Sequence, residues 1–79
     1  MNFELFPLSF LNPGREATIV AIKGGKGWRR RLMEMGVAEG MKVKVLQNSF
    51  RGPMVISVGK TRLVLGYGVA CSILVKRTK

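Results

Sequence analysis

The chain has 79 residues, of which 47% are hydrophobic, and this length and composition predict one small domain with its own core. Seven Lys and seven Arg against four Glu give a formal net charge of +10, which favours an anionic partner such as a phosphate group, an acidic protein surface or anionic lipid. There is no His and no Asp, so the residue sets of most hydrolytic enzymes are excluded, and no apolar run approaches the roughly 20 residues of a membrane-spanning helix.

The first third of the chain is predicted to contain a turn and a central strand. Asn12-Pro13-Gly14 is typical of a turn in which Gly14 takes a positive φ. The segment from Arg15 to Lys23 is rich in β-branched residues, and its second half is apolar on both faces. This pattern predicts a strand that is buried on two sides.

A short amphipathic helix is predicted after Gly24-Gly25-Lys26-Gly27. At 100° per residue, Trp28, Leu32 and Met35 fall on one side, which we expect to face the core. Gly36 stands where a left-handed residue would end the helix. The sequence therefore places the helix between two glycine-containing turns.

The next segments predict a strand and a hairpin. Ala38-Glu39-Gly40 indicates a turn, and the alternation that begins at Met41 predicts a half-buried strand with a basic outer face. Gly59-Lys60 separates two runs rich in β-branched residues, Met54 to Val58 and Thr61 to Leu65. This arrangement is typical of a two-residue hairpin with a type II′ turn at Gly59.

The last strand is predicted from Ser72 to Lys76, with Ile73 and Val75 on one side. Five short strands would leave long unpaired edges unless their sheet curls onto itself. The predicted fold class is therefore mostly β, a small five-stranded, partly open barrel with one short α-helix. We expect residues 1–79 to form a single domain with a core from about 8 to 76 and frayed ends.

No catalytic residue and no metal site are predicted within one chain. The Glu residues are scattered, at positions 4, 16, 34 and 39. Met35, Met41 and Met54 lie at core positions, where Met usually fills gaps, and the lone Cys71 is expected to be a small buried hydrophobe. No cofactor is expected; the alternative is weak transition-metal binding at an interface between two copies of the chain.

Gly24-Gly25-Lys26-Gly27 superficially resembles a phosphate loop between a strand and a helix. No Ser or Thr follows Lys26 and no Asp exists, so the two magnesium ligands of nucleotide hydrolases are missing. A bare contact between Lys26 and an anion stays open.

The predicted helix carries the candidate partner-binding residues. Arg30 points outward, Arg29 and Arg31 border the apolar side, and Met33 adds an exposed apolar side chain, as in protein interfaces. The alternative is a solvated helix face with a weak pair between Arg30 and Glu34. The candidate residues are Lys26, Arg29, Arg30, Leu32 and Met33, and the structural turn residues are Gly14, Gly36, Gly40 and Gly59.

Several motifs together resemble the ferrous iron transport protein A family, FeoA. They are Leu8-Ser9-x-Leu11-x-Pro13-Gly14, Ile22-Lys23-Gly24-Gly25, Arg31-Leu32-x-Glu34-Met35-Gly36-Val37-x-x-Gly40 and Gly52-Pro53. The resemblance implies an SH3-like barrel of the bacterial or archaeal cytoplasm with an accessory role in ferrous iron uptake beside the membrane GTPase permease FeoB. The chain departs from the usual family pattern at Glu39, Gly66 and Val69.

The expected function is therefore that of a non-enzymatic cytoplasmic protein that docks on the cytosolic part of this permease, with recruitment to the inner face of the membrane. One alternative is a nucleic-acid-binding barrel, favoured by charge but disfavoured because Phe3, Phe6 and Phe10 cluster at the N-terminus and Trp28 is predicted to face the core. The other is a metal-bridged dimeric regulator, in which the partner is a second copy of the chain.

Overall fold

Six antiparallel strands form one sheet in the computed structural model, which describes residues 4–77. The order of the strands is β1-β6-β2-β3-β4-β5, so β2 lies inside the sheet with a partner on each side. In chain order the elements are β1 (Phe6–Pro7), a 3₁₀ turn (Leu8–Phe10), β2 (Glu16–Ile22), α1 (Lys26–Glu34), β3 (Lys42–Asn48), β4 (Met54–Val58), β5 (Thr61–Leu65), α2 (Tyr67–Ser72) and β6 (Ile73–Arg77).

The predicted fold class is confirmed, and the structure adds two elements to it. The first is the two-residue strand β1, which pairs with β6. The second is α2, where the sequence-based prediction had only a break around Gly66 and Gly68. Two glycines in one short segment disfavour a helix locally, but α2 lies against the 3₁₀ turn and buries Ala70, so tertiary packing overrides this preference.

The core is built from inward-facing residues on successive strands. Ile19 of β2 lies opposite Val75 of β6, and Val45 of β3 lies opposite Ile56 of β4; all four are buried. The register of β2 against β6 shifts by one residue between Ile19 and Ala21. Because of this bulge, both Ile19 and Ile22 face the core, which strict alternation would not allow.

The hairpin agrees with its prediction. Val58 and Thr61 pair across Gly59-Lys60, and the φ of Gly59 is 61°. Lys60 keeps a negative φ, as a type II′ turn requires.

The structure corrects the predicted core positions of two methionines. Met54 is buried, but Met35 and Met41 are exposed. Met41 precedes β3 at the edge of the sheet, where its carbonyl still accepts from the N–H of Ile19 at 2.9 Å, but its side chain stays 38% exposed. The predicted frayed ends, residues 1–7 and 76–79, are partly wrong, because Phe6–Pro7 form β1 and Lys76 and Arg77 belong to β6; residues 1–3, 78 and 79 lie outside the described residues. No helix within residues 4–77 is long and apolar enough to cross a membrane.

Asn48 ties the N-terminal segment to the end of β3. Its side-chain Nδ2 donates to the carbonyl oxygens of Ser9 and Leu11, both at 2.9 Å. Its Oδ1 accepts from the backbone N–H of Phe50 at 2.7 Å, which holds Phe50 at a φ of 65° that is rare for a residue with a side chain. One side chain therefore fixes two loops.

Asn48→Ala is expected to lower the free energy of unfolding by about 2 kcal/mol, because two half-buried carbonyls lose their donor. Urea unfolding monitored by circular dichroism would show a lower midpoint at an unchanged slope. Gln47→Ala, at an exposed position of the same strand, serves as the control and should change the midpoint little. Equal stability of the Asn48 and Gln47 variants would contradict the role given to Asn48.

Candidate partner-binding surface on α1

The first turn of α1 has little intrinsic stability. Its N-cap is Gly25, which offers no side-chain hydrogen bond, Gly27 lies in its first turn, and no acidic residue there complements the positive end of the helix dipole. Residues 29–34 are good helix formers, so the weak point is the first turn, and the helix is further held by packing and by its C-terminal end.

The C-terminal end supplies a Schellman motif. The N–H of Gly36 donates to the carbonyl of Met33 at 3.0 Å, and the N–H of Val37 donates to the carbonyl of Leu32 at 2.8 Å. Gly36 has a φ of 91°, and Val37 and Leu32 are both buried, which gives the apolar contact that usually accompanies this motif. This motif explains why the helix ends at Gly36, as the sequence predicts.

Leu32 anchors α1 to the barrel. It is 1% exposed, and it is the only buried residue among the α1 positions whose side chains the structure describes. Leu32 therefore faces the core, as its place on the apolar side of the helix predicts, and the second prediction, that it contacts a partner, is wrong because the core already covers its side chain. The prediction that Trp28 faces the core is also wrong, since it is 48% exposed and lies against Gly24. Because Leu32 is the one α1 side chain buried against the barrel among those described, the side chains beside it on the helix stay exposed.

We define the α1 surface as Arg29, Arg30 and Met33, because Met33 lies four positions after Arg29 and three after Arg30 and therefore neighbours both on the helix surface. Met33 is 58% exposed and neighbours both cations on the helix surface. Lys26 begins α1 and is in phase with this face, but its side chain, and with it the predicted anion contact, lies outside the described part of the chain.

An ion pair fixes one edge of the α1 surface. Arg29 Nη2 lies 3.0 Å from Glu39 Oε2, and both side chains are about half exposed. The predicted alternative pair between Arg30 and Glu34 is not among the ion pairs of the described residues, so Arg30 is available to an external carboxylate. Exposed pairs of this kind contribute little to stability, so the role of Arg29 and Glu39 is to orient the guanidinium group.

A shallow depression of about 210 Å³ lies beside the α1 surface. Its lining combines apolar groups with the ion pair, from residues Ile22, Arg29, Met33, Ala38 and Glu39. Such a depression could receive an apolar side chain of a partner, with charged residues of the partner around that side chain. Sequence reasoning missed Glu39 and Ala38, because they join the helix only through the turn that follows it.

The turn glycines named from the sequence all lie in the left-handed region. Their φ angles are 88° at Gly14, 91° at Gly36, 89° at Gly40 and 61° at Gly59.

Cys71 is half-buried and contacts polar groups, in contrast to its predicted burial among apolar neighbours. Its Sγ lies 3.5 Å from Ser9 Oγ. A side-chain hydrogen bond with Cys71 raises the pKa of Tyr67, an effect that Arg51 partly opposes. No group of three or more His, Cys, Asp and Glu that could hold a metal ion occurs within residues 4–77.

Comparison with known proteins agrees with this architecture. The family model of the FeoA domain matches residues 6–77. A protein of Methanocaldococcus jannaschii, named as a candidate Fe(2+) transport protein A, is 36% identical over 72 residues, which make up 91% of this chain and 87% of that protein.

Solved structures share the fold. A crystal structure described as an iron uptake regulatory protein (FeoA) is 36% identical with a TM-score of 0.88, covering 95% of this chain and 100% of its own. The FeoA protein of Chlorobium tepidum is 28% identical with a TM-score of 0.84, covering 94% of this chain and 71% of its own. A manganese-dependent transcriptional repressor reaches a TM-score of 0.88 at 19% identity, covering 99% of this chain and 44% of its own, which shows a common fold alone.

The sheet, its short hairpins and the helix after the central strand define a small SH3-like β-barrel. Within that class, two findings point to one family: the FeoA family model matches residues 6–77, and the Methanocaldococcus jannaschii protein is 36% identical. The chain belongs to the FeoA family.

Gly36→Ala is expected to destabilise the protein by about 1–2 kcal/mol, because a side chain there is forced into the left-handed region. A Cβ at this position meets no atom within 4 Å, so the effect would report backbone strain alone. Gly68→Ala in α2, which also meets no atom, is the matched control and should be neutral or stabilising. Thermal unfolding of both variants checks this, and equal melting temperatures would contradict it.

Cys71→Ala is expected to lower the pKa of Tyr67 toward its ordinary value, because the hydrogen bond to Cys71 is lost. Tyr67 is the only Tyr, so the absorbance of its phenolate reports this site alone as the pH is raised. A raised pKa in the folded state also means that the unfolded chain ionises first, so stability declines as the pH rises through that range. Ser72→Ala, in the same helix, should leave the titration midpoint unchanged; an unchanged midpoint in the Cys71 variant would refute the assignment.

Proposed function

We propose that this protein is a non-enzymatic accessory protein of ferrous iron uptake that docks on the cytosolic part of a FeoB-type GTPase permease. The name of the Methanocaldococcus jannaschii relative supports the link to Fe(2+) transport. The single structural observation that carries the docking proposal is Met33, a large apolar side chain exposed between Arg29 and Arg30. Such a side chain is stabilised when a partner covers it.

The chemistry of the chain agrees with binding rather than catalysis. Without His or Asp, the chain lacks the common general bases and the carboxylate that holds magnesium in nucleotide hydrolases. The permease would therefore supply the GTPase site, and this protein would act through contact with it. Cytoplasmic localisation with recruitment to the inner face of the membrane follows from the same proposal.

The α1 surface is suited to such contact because the fold holds it in one orientation. Leu32 and the Schellman motif fix the helix, and Glu39 fixes the guanidinium of Arg29. Binding of a partner then costs little conformational entropy, because these groups are already ordered in the free protein. The charge of Arg29 and Arg30 favours an acidic surface on the permease around an apolar pocket for Met33.

Met33→Glu is expected to weaken binding to the purified GTPase domain of the permease at least about tenfold, because the variant loses an apolar contact and buries a charge. The measurement is biolayer interferometry with the domain immobilised, both nucleotide-free and nucleotide-loaded. The matched control is Val64→Glu, which places the same charge at a 70% exposed apolar position on β5 and should bind like the unmodified protein.

Equal binding by the Met33 and Val64 variants would remove the α1 surface from the interface. The absence of any binding to the domain in either nucleotide state would reject docking itself. Denaturant midpoints of both variants should match that of the unmodified chain, since both positions are on the surface.

A nucleic-acid-binding barrel is the second candidate, and one observation now favours it. Trp28 is exposed beside Arg29, so an aromatic group available for base stacking accompanies the basic run. Tight RNA binding at physiological salt that Trp28→Ala abolishes would support this function over docking. For the third alternative, a metal-bridged dimer, sizing with and without added Fe(2+) decides whether a second copy is the partner.

A further inference from the structure

A polar concavity of about 300 Å³ lies at the opposite end of β2 from α1. It is lined by residues from the first turn, two strands and the end of β6, which are Asn12, Gly14, Arg15, Glu16, Lys44 and Arg77. We call it the basic concavity. None of its residues belongs to the α1 surface, so its use does not depend on the proposed docking.

Strand register brings the basic concavity together. Glu16 of β2 lies opposite Lys44 of β3, and Ala17 of β2 lies opposite Arg77 of β6, so Lys44 and Arg77 flank the start of β2 from its two sides. Arg15 immediately precedes this strand. Three residues far apart in the sequence thus converge on one end of the barrel.

The backbone around the basic concavity is fixed. The N–H of Gly14 donates to the carbonyl of Val45 at 2.8 Å, and the N–H of Val45 donates to the carbonyl of Arg15 at 3.0 Å. The N–H of Arg15 in turn donates to the carbonyl of Asn12 at 3.1 Å. These bonds attach the turn to β3, so a ligand would meet side chains on a preorganised backbone.

The cations of the basic concavity are not neutralised. Its lining has three cations and one carboxylate, a formal excess of two positive charges. Lys44 and Glu16 are directly opposed, yet the ion pair that the described residues form is that of Arg29 with Glu39, and Arg15, Lys44 and Arg77 have no carboxylate partner within residues 4–77.

The surrounding sheet strengthens the positive potential. Residues directly opposed in neighbouring strands share a face, so Lys44 is followed across the sheet by Ser57 and then Arg62. A second row joins Lys76, Thr18 and Lys42. These cations on the outward face would attract an anion toward the basic concavity before it binds.

We propose that the basic concavity binds a dianionic phosphate group, as in a phosphate monoester or a diphosphate. Arginine guanidinium groups donate in pairs to phosphate oxygens, Lys44 supplies a point charge, and the Asn12 amide supplies a neutral donor. A divalent cation is repelled by the same charges. The phosphate could come from a soluble nucleotide or from a lipid headgroup such as that of phosphatidic acid, and the experiment separates these sources.

The test is an NMR titration of the isotope-labelled full chain with inorganic pyrophosphate at constant ionic strength. Saturable shifts are expected at the amides of Gly14, Arg15 and Lys44. The double variant Arg15→Gln/Lys44→Gln should raise the Kd at least about tenfold. Lys60→Gln in the β4–β5 turn, which lines no part of the basic concavity, is the control for the loss of one surface charge and should change the Kd less than about twofold.

A variant that is expected to bind more tightly tests whether misfolding explains the loss of binding in the double variant. Glu16→Gln removes the one carboxylate of the basic concavity and should lower the Kd about fivefold. Weaker binding by this variant, or an equal loss in Lys60→Gln, would overturn the proposal. Shifts that grow without saturation and spread over all basic residues would overturn it as well.

A parallel arm uses sedimentation with phosphatidylcholine vesicles that do or do not contain phosphatidic acid. Binding to the acidic vesicles that the double variant loses and Lys60→Gln keeps would support the proposal with the lipid as the source of phosphate. Pyrophosphate binding without vesicle binding would support it with a soluble source. Binding in neither arm, or vesicle binding indifferent to Arg15 and Lys44, would refute the site.

Discussion

The pairing of β2 with both β3 and β6 is the constraint on which the rest of the structure depends. It joins the start, middle and end of the chain in one sheet, and the bulge after Ile19 turns both Ile19 and Ile22 into the core. Because β2 is held on both sides, its two ends have fixed positions. The end at Ile22 leads into α1, and the end at Glu16 opens into the basic concavity. The two surfaces proposed for binding are thus the two ends of one strand.

The helix at the Ile22 end shows how a small domain can display a surface at little structural cost. Its first turn favours helix weakly, and one anchor, Leu32, together with the hydrogen bonds of Gly36 and Val37, holds it in place. Most of the helix is therefore free to carry exposed groups such as Trp28 and Met33. A helix packed along its whole length would have buried these two side chains.

The same barrel occurs in the FeoA proteins and in part of a manganese-dependent repressor, at identities of 36% and 19%. A common architecture does not carry a common function, since function resides in the side chains that a fold displays. In this chain the displayed groups are an apolar and cationic helix face and a second cluster of unpaired cations. Both surfaces are suited to partners with negative charge, and part of the net charge of +10 lies at these two places.

The sequence alone determined five of the six strands, the hairpin at Gly59, the helix end at Gly36 and the family resemblance, because turn residues and side-chain alternation act over a few neighbouring positions. Only the tertiary structure decided the exposure of Trp28 and Met35, the strand β1 and the helix α2. It alone also brought Arg15 next to Lys44 and Arg77. These features depend on which distant segments meet, and a 3.6-residue period shows one apolar side of a helix without showing how much of that side the barrel can cover.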